Sequence, residues 1–124
     1  MAKILVVDDE ALLRAIMQDG LEAAGHEVIV ADSGRIALEL AKVDRPDCIL
    51  LDIMMPDMDG YETCAALKTD SDLAPVPVIL VSATTDLRVV DRAEQVGAAG
   101  VLPKPVPFEQ LQHAVSLALD SGSI

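Results

Sequence analysis

The chain has 124 residues, 52% of them hydrophobic, and carries a net charge of −12 with a pI of about 4.2. That hydrophobic share excludes a disordered chain, and the acidity argues against direct binding to nucleic acid or insertion at an anionic membrane, both of which recruit Lys and Arg. With no apolar run of 18 residues and no signal peptide, the sequence reads as one domain spanning 1–124 in the cytoplasm.

In chain order, residues 3–8 form a short apolar run ending in acids. Residues 11–25 carry Leu13, Ile16, Met17, Leu21 and Ala24 at helical spacing, with Gly25 as the expected terminator. A strand follows over 27–31, then a helix over 34–44 capped by Ser33 or Asp32 and closed before Pro46. The run 47–52 ends in Asp52, and a loop with Pro56 and Gly60 leads into a helix over 60–69. Pro75 and Pro77 precede a strand over 77–82, and Asp86 opens a helix to Val96 with Val89, Ala93 and Val96 on one face. A short strand over 99–103 precedes a last helix marked by Phe108, Leu111, Val115 and Ala118, with 120–124 as a frayed tail. Tyr61 and Phe108 are the only aromatics, so the core must be aliphatic. Cys48 and Cys64 lack metal-ligand spacing and read as reduced, mostly buried thiols.

Near-continuous apolar strands alternating with helices predict an α/β fold, a doubly wound parallel sheet of five strands with helices on both faces. In the order 2-1-3-4-5, typical of flavodoxin-like folds, strands 1 and 3 are neighbours. Their carboxyl ends, where such sheets bind ligands, carry Asp8, Asp9 and Asp52. Ser82 ends the fourth strand and Lys104 follows the fifth. Two carboxylates about 4 Å apart repel by roughly 4 kcal/mol at an effective dielectric near 20, so three in one crevice call for a cation. Oxygen ligands alone select a hard ion, Mg²⁺ first. Acid, metal, hydroxyl and ammonium around one carboxylate make a phosphoryl-transfer site with Asp52 as nucleophile. Glu10 reads as a first-turn helix acid bordering this site, Asp57 and Asp59 as turn formers, Thr84 as a loop residue near the phosphoryl position, and His26 and His113 as surface residues.

Four stretches carry a family resemblance: Val6-Val7-Asp8-Asp9-Glu10, Leu50 through Gly60, Val81-Ser82-Ala83 and Leu102-Pro103-Lys104-Pro105. With them the sequence resembles the receiver domain of bacterial two-component response regulators over about 3–119. The resemblance implies that Asp52 accepts a phosphoryl group from a phospho-histidine on a histidine kinase or phosphotransfer protein. It implies Asp9 as a direct Mg²⁺ ligand, Asp8 as one through water, and the Met54 carbonyl as a further ligand. Ser82 and Lys104 would contact the phosphoryl group, and the Lys104-Pro105 bond would be cis. One departure stands out: many receivers place Tyr or Phe three residues before the lysine, a side chain that swings inward on activation, and this chain has Val101. An output partner is expected at the fourth helix, fifth strand and fifth helix, with Val90, Val101 and Leu117, and Leu87 also lies off the core stripes. If the chain is complete, its output is protein contact or onward transfer to a histidine.

Two other functions compete. A Mg²⁺-dependent phosphatase would share Asp52 and Lys104, but such enzymes need a second acid two residues after the nucleophile, where Met54 stands. A docking module without phosphorylation is opposed by the intact acid set.

Overall fold

The computed structural model describes residues 2–122. Five strands and five helices alternate: β1 (Lys3–Val7), α1 (Ala11–Ala23), β2 (Glu27–Ala31), α2 (Gly34–Val43), β3 (Cys48–Asp52), α3 (Gly60–Thr69), β4 (Val78–Ser82), α4 (Leu87–Gln95), β5 (Gly100–Pro103) and α5 (Phe108–Gly122). The strands form one parallel sheet in the order β2-β1-β3-β4-β5, as the sequence predicts. Helical backbone continues into the expected tail as far as Gly122, and residues 123 and 124 lie outside the described residues.

The alternation of side chains along each strand builds two cores from one sheet. Leu5, Val7, Ile49, Leu51, Val78 and Leu80 face α2, α3 and α4, where Ala37, Cys64, Leu67 and Ala93 meet them. Ile4, Val6, Cys48, Leu50 and Ile79 face the other way, onto Leu21 of α1 and Leu111, Val115 and Ala118 of α5. Every residue of β3 and β4 is buried, which explains why these runs lack any polar alternation. Both cysteines are free and buried. Burial pushes the Cys48 thiol up to about 12, so it behaves as a small apolar side chain.

Local signals set the helix ends. Ser33, not Asp32, caps α2, its Oγ accepting from the Ile36 N–H. Asp59 and Glu62 close a reciprocal capping box on α3, and Asp86 accepts from the Arg88 and Val89 N–H groups at the start of α4. Gly25 follows α1 with φ +94°, a left-handed conformation that favours glycine. Ile16 departs from the predicted stripe. It is 57% exposed, because Met17 and Leu21, four residues apart, point at the sheet and position 16 is turned away with Leu12. Phe108 is 42% exposed, its ring seated on α1 where Gly20 has no side chain.

Gly60 sets how closely α3 approaches the end of β3. A Cβ there would lie 2.5 Å from the Asp52 carbonyl oxygen and 2.7 Å from the Ile53 Cα. Both are backbone atoms, which yield only if the strand end moves. Gly60→Ala is therefore expected to destabilise the fold by about 1–3 kcal/mol, the usual range for overpacking, as measured by urea denaturation. A midpoint unchanged from wild type would mean that this junction has slack.

Candidate functional site

The sheet register brings the predicted polar residues together. Val7 pairs with Leu51, so Asp8 and Asp52 each stand one residue past that pair on neighbouring strands. Asp52 pairs with Val81 and Ser82 with Pro103, which puts Ser82 and Lys104 on the other flank. Asp8, Asp9 and Asp52 each offer one carboxylate oxygen within 4.8 Å of the other two. Asp8, Asp52 and Ser82 are buried, at 0%, 3% and 4% exposure, while Asp9 is open to solvent.

Lys104 provides the counter-charge. Its Nζ lies 2.9 Å from Asp52 Oδ1, 3.4 Å from Asp8 Oδ2 and 4.0 Å from Glu10 Oε1. Its backbone N–H donates to the Ser82 carbonyl, and the Lys104-Pro105 bond is cis. Asp8 Oδ1 accepts from the Glu10 N–H at 2.9 Å. Asp8 Oδ2 is buried and accepts no hydrogen bond among the described residues. Its cationic neighbour is Lys104 Nζ at 3.4 Å; a buried carboxylate oxygen without a hydrogen bond is costly, and a cation between the three acids would satisfy it. The acid cluster is thus able to hold a metal, and its all-oxygen chemistry matches Mg²⁺.

Burial raises the Asp52 carboxyl above its ordinary value. The hydrogen bond from Lys104 opposes this, and the Asp8 charge adds to it. Burial would lower the Lys104 ammonium, but the bond to Asp52 and the charges of Asp52 and Asp8 more than offset it, and the net shift is upward. The cluster therefore has one ammonium among several acids, and without a further cation it remains short of positive charge.

Other candidates fall around this centre. Ser82 Oγ accepts from the Thr84 N–H at 3.2 Å, which leaves its own O–H free to donate. The Thr84 side chain is exposed. Met54 lies in the β3–α3 loop with its side chain 75% exposed. Glu10 is the N-cap of α1 rather than a first-turn residue, which brings it to the rim beside Lys104. Asp57 takes a left-handed turn conformation with φ 69°, and Asp59 serves as the α3 cap. His26 Nδ1 accepts from the Ala2 N–H, and His113 is exposed. One residue at the site escaped sequence reasoning: Arg14, whose guanidinium donates to the Asp8 carbonyl at 2.7 Å. Its signal was thin, a single basic residue within α1.

The family model for the response regulator receiver domain matches residues 4–116. The chain belongs to the response regulator receiver domain family. It is a signalling domain of two-component systems rather than a conventional enzyme. The receiver is 39% identical over 109 residues to "Response regulator MprA" of Mycolicibacterium vanbaalenii, covering 88% of this chain and 46% of that protein. It is 37% identical to "Probable transcriptional regulator ycf27" of Porphyridium aerugineum, covering 94% and 48%. The chain thus spans about half the length of these curated relatives. Among solved structures it resembles the Vibrio cholerae chemotaxis protein CheY4, with a TM-score of 0.93, 35% identity and coverage of 96% and 99%.

Two outcomes follow from the crowding of acids. In metal-free buffer, Asp8→Asn is expected to raise the melting temperature by on the order of 3 °C, equivalent to roughly 1 kcal/mol for a domain of this size; calorimetry checks this, and a fall would mean that the acids do not repel. The second concerns pH. Asp52 is raised above its ordinary 3.8, so the folded state holds its proton more tightly than the unfolded one. The stability that this proton confers is present at low pH and is lost as pH rises from 3.8 through the folded value. The stability of metal-free wild type relative to Asp52→Asn should therefore decline with rising pH over that window. A difference that grows instead would place Lys104 pairing above burial.

Proposed function

We propose that this receiver is a phospho-accepting switch in which Asp52 takes a phosphoryl group from a phospho-histidine of a histidine kinase or phosphotransfer protein. The observation that carries this reading is a cluster of three carboxylates, each offering one oxygen within 4.8 Å of the others, in which the buried Asp8 Oδ2 has no hydrogen bond among the described residues, with Lys104 Nζ 2.9 Å from the proposed nucleophile. In this reading Asp8, Asp9, Asp52 and the Met54 backbone carbonyl hold Mg²⁺, which when bound neutralises charge on the phosphoryl oxygens. As the bond from phosphorus to the donor imidazole nitrogen breaks, a bond to an Asp52 oxygen forms. Lys104 and the Ser82 hydroxyl face the phosphoryl oxygens and balance their charge. The pull of the phosphoryl group on Lys104 and Ser82 shifts the conformation of the strand ends that carry them.

The signal would leave through α4, β5 and α5. Val90 and Leu117 are 39% and 55% exposed there, and Leu87 is 79% exposed. A groove of about 410 Å³ lined by Pro77, Val101, Ala114 and Leu117 lies on one side of β5, and one of about 330 Å³ lined by Val90, Ala93 and Val101 on the other. Val101 packs partly on the core and lines both grooves, where many receivers carry an aromatic side chain. The output partner is a protein, contacted directly or joined in a longer chain, since the net charge of −12 disfavours nucleic acid. Two free, buried cysteines accord with a reducing, cytoplasmic setting. A phosphatase acting on small substrates is less well supported, because Met54 stands where a second acid is needed.

Incubation with acetyl phosphate and Mg²⁺ should add one phosphoryl group, read by intact-mass spectrometry. The label should be absent without Mg²⁺ and absent in Asp52→Asn. Labelling that survives this substitution would move the acceptor elsewhere.

A further inference from the structure

The turn between β1 and α1 must aim two consecutive carboxylates at one place, although consecutive side chains of an extended chain point to opposite sides. Asp8 is held well. Its N–H donates to the Ala31 carbonyl at 3.2 Å, its Oδ1 accepts from Glu10, and its side chain is fully buried. Asp9 is not. It is exposed, and among the described residues no hydrogen bond or ion pair engages its carboxylate, yet one of its oxygens lies within 4.8 Å of an oxygen of Asp8 and one of Asp52. Its carboxylate is therefore placed only by its own rotamer and by where the backbone puts its Cα.

The peptide unit that joins Asp8 to Asp9 is planar, so fixing its carbonyl fixes its whole plane and, with it, the position of the Asp9 Cα. That carbonyl is the Asp8 oxygen, and the group that grips it is Arg14 Nη1 at 2.7 Å. Arg14 stands on the first turn of α1, where its own N–H donates to the Glu10 carbonyl at 3.0 Å. The arginine thus reaches back over the turn Asp8-Asp9-Glu10 and closes it from the helix side. A charged donor makes this a short, strong hydrogen bond.

Resting on the proposed Mg²⁺ site, we infer that Arg14 is a positioning residue: by holding the Asp8–Asp9 peptide plane, it aims Asp9 at the metal position. The inference has a sign that separates it from electrostatics. A cation beside the acid cluster repels Mg²⁺, so if charge alone mattered, removing Arg14 would tighten binding. If orientation matters, removal weakens it, as loss of groups that orient metal ligands typically does by about 10- to 100-fold.

The test is Mg²⁺ titration of the whole chain by isothermal calorimetry, for wild type, Arg14→Met and Arg14→Lys. Arg14→Met, which keeps the apolar stem, is expected to weaken Mg²⁺ about tenfold. Arg14→Lys, which keeps a donor for the carbonyl, should recover most of that loss. In metal-free protein the Asp9 amide nitrogen, across the same peptide bond, should shift in the NMR spectrum of Arg14→Met and return toward its wild-type position in Arg14→Lys. Should Arg14→Met fail to fold, Arg14→Gln, too short to reach the carbonyl, takes its place. Unchanged or tighter Mg²⁺ binding overturns the inference, as does a lysine variant no better than the methionine one. Absence of Mg²⁺ uptake by wild type at millimolar concentration would instead overturn the metal site itself, and the Asp9 amide shift then decides the role of Arg14 alone.

Discussion

Three carboxylates held by adjoining strand ends repel one another, and the local structure around them is arranged to tolerate that repulsion. At an effective dielectric near 20, charges about 4 Å apart cost roughly 4 kcal/mol per pair. Lys104 offsets part of this, with its ammonium 2.9 Å from Asp52 and 3.4 Å from Asp8. One cation cannot match three acids, and Asp8 Oδ2 remains buried without a hydrogen bond among the described residues. Such a deficit favours the uptake of a cation, and it is the physical basis of the metal and phosphoryl chemistry proposed above. The fold thus holds its ligand site in a state that is costly without a ligand, as expected where function competes with stability.

That tension is contained by a rigid support. β3 and β4 are buried along their whole length, with cores above and below them. Asp52 ends one of these strands and Ser82 the other. A fully buried Leu or Ile contributes roughly 1.5–3 kcal/mol through burial, so a few such side chains outweigh the repulsion at the strand ends. Packing is thinner at the periphery. α4 buries only Ala93 fully and is further held by a stack of Arg92 on the Tyr61 ring at 4.4 Å. Tyr61 follows Gly60, the residue packed directly under Asp52, so β3 and the outer helix α4 are two contacts apart.

How far the sequence could be read depended on how local each signal was. Strand and helix types and their order follow from patterns a few residues long, and Asp86, read as the opening of a helix, is its cap, whereas Asp59, read as a turn former, turns out to cap α3 together with Glu62. Failures occurred where neighbours in space decided the outcome. Ile16 has the helical spacing of a core residue, but which stripe of α1 faces the sheet is settled by Met17 and Leu21. The sequence leaves the α2 cap open between the chemically similar Ser33 and Asp32, and backbone geometry chose Ser33. Arg14 carries only the thin signal of a lone basic residue in α1, because its partner is a backbone carbonyl, and every residue has one.

By itself the sequence determined an acidic α/β chain with apolar strands, helices on both faces, and Asp8, Asp9, Asp52, Ser82 and Lys104 at the strand ends. Side-chain period and strand-terminal chemistry are properties of short segments and survive without a structure. Only the tertiary structure decided that Lys104 pairs with Asp52 more closely than with Asp8, that Glu10 reaches the rim, and that Arg14 closes the β1–α1 turn. Those facts depend on distances between segments tens of residues apart, or on where a long side chain comes to rest, and the packing of the whole sheet sets both.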